Sequence, residues 1–267
     1  MRQKTIKEPE SLYGIALHSG QNCKLSFLPA AENTGIVFKV GEITVPAQIG
    51  LVSSTIRGTT IEKDRQEVQL VEHILAACYG LGIDNLRIEL SADEPPAADG
   101  SALPFVKVLK KAEVVEQDAE KKVFAVKNEL KVESKEASII ALPYHGFKVS
   151  FMVDFPKIGE QFLEIEIKEN TFVKELAPAR TFGYLSEVEA LKEQGLAKGA
   201  SLDNALAIDE NGYVNEPRFE DELVRHKILD VIGDLALLGG RIQAFIKCEK
   251  SGHALNIALA KKIAESL

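Results

Sequence analysis

The stretch HILAACYGLGIDNLRIEL, residues 73–90, recurs in altered form as KILDVIGDLALLGGRIQAFI, residues 227–246. Each copy begins with apolar residues at helical spacing, continues through a glycine turn and ends in residues typical of a strand. A second amphipathic segment follows each copy, after a loop that carries GSAL (100–103) or GHAL (252–255). A repeat of this kind predicts two similar units in one chain, and chance similarity between amphipathic helices is the alternative.

Segments with strand-like alternation surround both copies. Strands are expected at 23–30, 34–40, 86–90, 123–133, 137–143, 147–155 and 241–249. Helices are expected at 67–82, 101–115, about 184–194, 219–240 and 254–267. The sequence therefore predicts an α+β fold of two pseudo-symmetric domains, residues 1–115 and 123–267, joined by the charged linker 116–122. Equivalent helix faces would then meet at one interdomain cleft.

The composition narrows the class of protein. With 267 residues, 45% hydrophobic and 27% charged, the chain resembles one large or two modest globular domains. Its net charge of −8 argues against a nucleic acid partner, because such binding needs a basic surface. Three distant cysteines without a CxxC pair favour a reducing compartment. No apolar stretch is typical of a secretory signal or a membrane span, so we expect a cytoplasmic protein.

The segment RHKILDVIGD (225–234) carries a candidate metal site. His226, Asp230 and Asp234 follow one another at intervals of four, so they share one face of a helix between apolar residues. Polar groups in such a place are costly unless they are paired or bound to metal. A His-x3-Asp pair offers one nitrogen and one oxygen ligand suited to Zn²⁺. A His–Asp ion pair or a solvated helix edge is the alternative.

Two further histidines lie in contexts that point to chemistry. In VEHIL (71–75), Glu72 precedes His73, and a glutamate beside a metal-binding histidine is typical of a general base. The helical zinc motif HExxH is absent, and HxxEH fails because residue 69 is glutamine. His253 begins the last predicted helix, where the helix N-terminus lowers its pKa and a carboxylate such as Asp234 would raise it. Structural packing is the alternative for both histidines.

Seven motifs together resemble one known family. They are GIALHSG (14–20), VEHILAA (71–77), EPPAADGSALPF (94–105), ARTFGY (179–184), GLAKGASLDNA (195–205), RFEDELVRHKILDVIGDL (218–235) and KSGHALN (250–256). In this order they are similar to the zinc-dependent UDP-3-O-acyl-N-acetylglucosamine deacetylases of lipid A biosynthesis. The resemblance implies two α+β domains, each a β-sheet packed by two α-helices, with the active site between them. It also implies removal of the N-acetyl group from an acylated UDP-sugar, with release of acetate.

The resemblance assigns roles to individual residues. His73, His226 and Asp230 would bind Zn²⁺, with Fe²⁺ as the alternative metal. Glu72 would be the general base, and His253 the cationic or acidic partner, oriented by Asp234. It leaves open which of Glu72 and His253 protonates the leaving amine. His18 and His145 have no comparable context, and we interpret both as structural.

The resemblance also implies a substrate-binding surface. The residues that it assigns are Thr181 for the substrate carbonyl, Lys227 and Lys250 for the phosphates, Phe155 for the uracil, and Phe182 with the insert 183–205, including Lys198 and Gly199, for the acyl-chain passage. The run VDFPKIG (153–159) departs from the family pattern, because the histidine that usually follows the Asp-Phe pair is absent. We expect a monomer that binds a small-molecule UDP-sugar.

Two other classes of protein compete with this interpretation. One is a zinc amidohydrolase that acts on a different N-acyl substrate, and the other is an inactive binding protein stabilised by zinc. Glu72 and His253 argue against the second, because neither is needed merely to hold a metal. A zinc nucleobase deaminase is excluded because its PCxxC ligands are absent.

Overall fold

The computed structural model describes residues 1–266 and has the α+β fold that the sequence predicts. The elements of the N-terminal half are β1 (Arg2–Ile6), β2 (Glu10–Ile15), β3 (Asn22–Pro29), β4 (Ile36–Val40), β5 (Ile43–Pro46), β6 (Val52–Ser54), β7 (Thr60–Lys63), β8 (Gln66–Val68), α1 (Glu72–Leu81), β9 (Leu86–Leu90), α2 (Leu103–Lys111) and β10 (Val114–Glu120). Those of the C-terminal half are β11 (Val123–Ala125), β12 (Leu130–Glu133), β13 (Ser138–Leu142), β14 (Phe147–Phe155), β15 (Gly159–Glu166), α3 (Glu169–Thr171), β16 (Phe182–Tyr184), α4 (Val188–Glu193), β17 (Leu206–Asp209), β18 (Gly212–Tyr213), α5 (Glu222–Ala236), β19 (Arg241–Glu249) and α6 (His253–Glu265).

The sheets of the two halves share the same order of five strands. The strand order is β2-β3-β9-β4-β5 in the N-terminal sheet and β12-β13-β19-β14-β15 in the C-terminal sheet, where a sixth strand, β11, also pairs parallel with β19. In each sheet the central strand, β9 or β19, is antiparallel to one neighbour and parallel to the other. That strand follows the first helix of each sequence repeat and precedes the second. The prediction of two pseudo-symmetric units is therefore confirmed at the level of topology.

The principal helices form a layer between the two sheets. Helix α2 packs against β2, α6 packs against β12 and β13, and α1 packs along α5. The apolar faces of both sheets and these helices share one continuous hydrophobic core. Within residues 1–266, no helix combines the length and the hydropathy needed to cross a membrane.

The structure corrects several predicted boundaries. The helices expected over 101–115 and 219–240 are the shorter α2 and α5, and the strand expected over 123–133 is two strands, β11 and β12. Residues 116–120, which we expected to be linker, belong to β10, which pairs antiparallel with β1. The charged residues of this strand alternate with less exposed ones, as in a strand with one solvated face. The helix expected over 67–82 begins only at Glu72, because residues 66–68 form β8 beside β7.

The predicted insert 183–205 leads from β16 to the segment before β17. Strands β16, β17 and β18 form a small separate sheet with its own apolar cluster. Within the insert, the backbone N–H groups of Lys198 and Gly199 donate to the carbonyls of His18 and Leu17. The insert is therefore packed onto the N-terminal half.

Candidate metal centre and catalytic site

The close approach of α1 and α5 brings the candidate residues together. Glu72 and His73 are the first two residues of α1, whereas His226 and Asp230 lie one turn apart on α5. A Cβ atom at Gly233 of α5 would lie 2.1 Å from the carbonyl oxygen of Glu72. The two helices can therefore be this close only because position 233 has no side chain.

His73, His226 and Asp230 form a cluster whose ligand atoms all lie within 4.8 Å of one another. Asp230 Oδ1 is 3.4 Å from His226 Nε2 and 3.8 Å from His73 Nε2. His226 Nδ1 is 3.1 Å from the carbonyl oxygen of Ala179, and donation to it leaves Nε2 with the lone pair. Asp230 Oδ1 is buried without a hydrogen-bond partner in residues 1–266, which is costly unless a cation satisfies it. The donor set fits a divalent metal.

The electrostatics of the cluster favour the protonation states that metal binding requires. Burial, together with the neighbouring His226, lowers the pKa of His73 to about 3. Burial also lowers the pKa of His226. Burial opposes ionisation of Asp230, but His226 and Lys227 outweigh it, so the pKa of this carboxyl is lowered. Two neutral imidazoles and one carboxylate are the forms that coordinate a metal.

Glu72 lies beside the cluster and is itself buried. Burial raises the pKa of Glu72 to about 7, against the opposing effect of His253. The carboxylate Oε2 accepts a hydrogen bond from the backbone N–H of Thr59 at 3.0 Å. A carboxyl group that gains and loses its proton near neutrality is suited to acid–base catalysis.

His253 forms a pair with Asp234, which is fully buried. His253 Nδ1 is 2.9 Å from Asp234 Oδ2, and Asn256 donates to the same oxygen at 2.8 Å. Burial lowers the pKa of His253, but the facing Asp234 carboxylate outweighs it and the net pKa rises to about 9. His253 Nε2 lies 4.0 Å from Asp230 Oδ2, so a cationic imidazole stands next to the ligand cluster.

A cavity of about 270 Å³ opens onto these groups. The predicted site residues in its wall are Glu72, His73, Thr181, Phe182, His226, Lys227, Asp230 and His253. Lys227 Nζ also donates to Asp230 Oδ2 at 3.0 Å. Pockets that enclose a whole drug-sized ligand usually measure about 300–1,000 Å³. The cavity would therefore enclose only part of a nucleotide-sugar.

Four predicted substrate-binding residues do not line this cavity. Phe155 packs edge-to-face on Phe182, which does line the cavity, with 5.0 Å between the ring centroids. Lys250 and Lys198 are exposed, and Gly199 bonds through its backbone to the N-terminal half. Contacts of these four residues with a substrate stay predictions.

His18 and His145 lie apart from the cluster. His145 is exposed between β13 and β14. His18 Nε2 faces the carbonyl of Arg57, and its Nδ1 faces the N–H of Ala197, both at 3.3 Å. His18 therefore ties the insert to the N-terminal half, in keeping with a structural role.

The structure adds residues that the sequence did not single out. Thr59 and Asn256 bond to Asp234 from other elements. Arg180 and Glu222 form a buried bidentate ion pair, with N···O distances of 2.9 and 3.0 Å, next to Ala179. Pairs such as Arg180 with Glu222 are distant in sequence, so no local pattern reveals them.

Taken together, two histidines, an aspartate, a buried glutamate and a His–Asp pair define a candidate hydrolase centre of the metal-dependent class. A sequence profile of the LpxC family, described as UDP-3-O-acyl N-acetylglycosamine deacetylase, matches residues 3–265. The chain belongs to this family of deacetylases of lipid A biosynthesis.

Three relatives carry the name UDP-3-O-acyl-N-acetylglucosamine deacetylase. The protein of Saccharophagus degradans is 45% identical, over 96% of this chain and 88% of its own length. That of Pseudomonas entomophila is 43% identical, over 98% of this chain and 90% of its own. That of Thermodesulfovibrio yellowstonii is 43% identical, over 99% of this chain and 92% of its own.

Proposed function

We propose that this chain is a zinc-dependent amidohydrolase that removes the N-acetyl group of UDP-3-O-acyl-N-acetylglucosamine and releases acetate. The observation that carries the proposal is the convergence of the ligand cluster, a buried carboxyl group and a His–Asp pair on one cavity. Membership of the deacetylase family supports the same substrate. The three cysteines are unpaired in the described chain, in keeping with the cytoplasm as the place of the reaction.

The metal would be held by His73, His226 and Asp230. Zn²⁺ prefers ligands of these types, and a cation there would satisfy the unpartnered Asp230 Oδ1. Fe²⁺ is the alternative. When bound, the metal would acidify a water molecule and polarise the substrate carbonyl. All three ligands come from one chain, so the site needs no second copy.

The residues of the chain would move the protons. Glu72, whose pKa is about 7, accepts a proton from the attacking water. His253, kept cationic by Asp234, stabilises the negative charge that develops on the carbonyl oxygen. The leaving amine then takes a proton, which either Glu72 or His253 can supply. Thr181 lies in the same cavity and would assist as a hydrogen-bond donor to the carbonyl.

The rest of the substrate would extend beyond the cavity. We assign the diphosphate to Lys227 and Lys250 and the uracil to Phe155. Phe182 and the insert 183–205, with Lys198 and Gly199, would border the acyl chain. In this proposal the N-terminal domain, predicted as residues 1–115, extends through β10 to Glu120, and residues 123–267 form the second domain.

The test is acetate release from UDP-3-O-acyl-N-acetylglucosamine by the metal-loaded protein, with and without a chelator. Glu72→Gln should keep the metal and lose on the order of 10²–10⁴-fold in rate, because the base is gone. His73→Ala should lose both metal and turnover, whereas the exposed His145→Ala should behave as wild type. Full turnover without metal would refute the zinc mechanism. Preference for an N-acyl substrate without the nucleotide would indicate a different amidohydrolase.

A further inference from the structure

Thr59, which immediately precedes β7, contacts three candidate catalytic residues. Its backbone N–H donates to Glu72 Oε2 at 3.0 Å, and its hydroxyl donates to Asp234 Oδ1 at 2.5 Å. The same hydroxyl oxygen is 3.4 Å from His253 Nδ1. Thr59 is fully buried, so water cannot replace these contacts. One residue of the N-terminal half thus contacts α1 through its backbone and α5 and α6 through its side chain.

The backbone at this point is shaped for the close approach. Gly58 has φ +152°, and a Cβ atom there would lie 2.1 Å from Leu70 Cδ2 and 3.0 Å from Glu72 Oε1. The carbonyl of Thr59 accepts from the N–H of Val71, the residue before α1. The segment before β7 is therefore fixed against the start of α1. Gly58 lies next to Oε1 of the Glu72 carboxylate, and Thr59 lies next to Oε2.

The two oxygens of the Asp234 carboxylate have different hydrogen-bond partners, and the hydroxyl of Thr59 is one of them. Asp234 Oδ2 faces His253 Nδ1 and Asn256 Nδ2, whereas Oδ1 has the Thr59 hydroxyl as its side-chain partner. Asp234 is fully buried. Without the hydroxyl, Oδ1 would be an unsatisfied charged acceptor, and rotation of the carboxylate toward His253 or Asn256 would relieve it.

We propose that Thr59 is a positioning residue for the deacetylation, which holds the Glu72 carboxylate through its amide and the Asp234–His253 pair through its hydroxyl. The inference rests on the proposed function, since it gives these groups their roles. The hydroxyl contacts none of the three candidate metal ligands. Its loss should therefore affect proton transfer while metal content stays unchanged.

The decisive comparison is between Thr59→Val and Thr59→Ser in the metal-loaded protein. Valine keeps the shape and the amide N–H but removes the hydroxyl, whereas serine keeps both polar groups. Thr59→Val should lower kcat about 10- to 100-fold with little change in KM, the scale of effect of a lost orienting contact. Thr59→Ser should restore most of the rate. Thr60→Val is the matched control, because its hydroxyl makes no hydrogen bond within residues 1–266.

A second measurement does not depend on turnover. In protein labelled with ¹⁵N-histidine, the Nδ1 proton of His253 should give a downfield resonance, which His253→Gln would assign among the five histidines. This resonance should shift or broaden in Thr59→Val and stay in Thr59→Ser and Thr60→Val. Should Thr59→Val not fold, Thr59→Cys retains a weak donor and should fall between valine and serine.

The outcomes separate the two proposals. A wild-type protein without deacetylase activity would refute the proposed function, while the resonance would still decide the role of Thr59. Unchanged kcat and an unshifted His253 resonance in Thr59→Val would overturn the role of Thr59 and leave the proposed function intact. Equal losses of rate in Thr59→Val and Thr59→Ser would also overturn it, because the hydroxyl would then not be the cause.

Discussion

Glu72 and His253 line the same cavity, and their surroundings raise the pKa of both groups. The surroundings therefore favour the neutral form of Glu72 and the cationic form of His253. Burial favours the neutral form of Glu72 and raises its pKa to about 7. For His253, burial favours the neutral form, but Asp234 outweighs it and holds the pKa at about 9. The proposed roles need an ionised Glu72 and a cationic His253. Both forms coexist between these two pKa values, so the pair is best suited to neutral and mildly alkaline pH.

The first prediction is a bell-shaped pH profile of kcat/KM. Activity should rise with pH as the Glu72 carboxyl ionises and fall as His253 loses its proton. A bound divalent cation would favour the carboxylate, so the acid limb should lie at or below pH of about 7. Asp234→Asn should move the alkaline limb to lower pH, because the charge that raises the His253 pKa is removed.

The control for this profile is Asp64→Asn, which alters an exposed aspartate in the turn between β7 and β8, outside the cavity wall. It should leave both limbs in place. An alkaline limb that persists in His253→Gln would contradict the assignment, because the limb would then belong to another group.

The sequence alone could identify the residues whose spacing reports a shared helix face. His226, Asp230 and Asp234 are separated by four positions, and that interval predicted their common orientation. Thr59 gave no such signal, because its proposed role depends on a partner 175 positions away. The carbonyl of Ala179, which orients His226, is equally invisible since every residue has one.

At the scale of elements, strands with strict alternation were predicted best. The bounds of β9, β14 and β19 agree with those expected from sequence. Strand β10 was missed because its exposed face is rich in acidic residues, and only pairing with β1 explains its conformation. The start of α1 was predicted too early, since the apolar Val68 of the adjoining strand β8 continued the helical period by chance.

The second prediction concerns the crossing of α1 and α5. Gly233→Ala would put a methyl group against the backbone of Glu72, which cannot move aside as a flexible side chain could. We expect a loss of about 3 kcal/mol in the free energy of unfolding, at the upper end of overpacking effects. Deacetylase activity should fall as well, because the two ligand-bearing helices separate.

Denaturant titration measures this loss, and Gly50→Ala is its matched control. A Cβ atom at Gly50 meets no atom within 4 Å, so that variant should be as stable as wild type. Equal stability of the Gly233 and Gly50 variants would show that the helices can adjust, contrary to the prediction.

The third prediction concerns the Arg180–Glu222 ion pair at the start of α5. Glu222→Gln would leave a buried guanidinium without its counter-charge, which typically costs about 3–5 kcal/mol. The pair also fixes the segment whose Ala179 carbonyl orients His226. Affinity for Zn²⁺ should therefore fall about 10- to 100-fold in the variant that remains folded. Zinc titration against a chromophoric chelator measures it.

The neighbouring Glu220→Gln serves as the control for this variant. Glu220 is exposed, so its substitution should change neither stability nor zinc affinity. If Glu222→Gln lost stability but bound zinc as tightly as wild type, the pair would be structural only.

In the whole molecule, the two halves repeat one strand order but share a single hydrophobic core. Each half has the same five-strand order, but their helices pack on one another and their apolar residues form one cluster. Contacts between the halves continue away from the candidate site. Ile49 donates from its backbone to Leu237 at 2.9 Å, and the Arg241 guanidinium stacks 3.9 Å from the Tyr79 ring.

The last prediction is that the chain unfolds in one cooperative transition, because separating the halves would expose the shared core. Removing the metal with a chelator should lower the Tm without splitting the transition, since His73 lies on one half and His226 with Asp230 on the other. Metal at 100 times its Kd would stabilise the fold by about 2.7 kcal/mol, and each kcal/mol shifts the Tm by about 2–4 °C at this chain length.

Differential scanning calorimetry with and without chelator measures both effects, and His73→Ala, already short of one ligand, should no longer respond to the chelator. Two resolved transitions in the metal-loaded protein would mean that the halves are independent folding units, and an unchanged Tm on chelation would mean that no stabilising metal joins them.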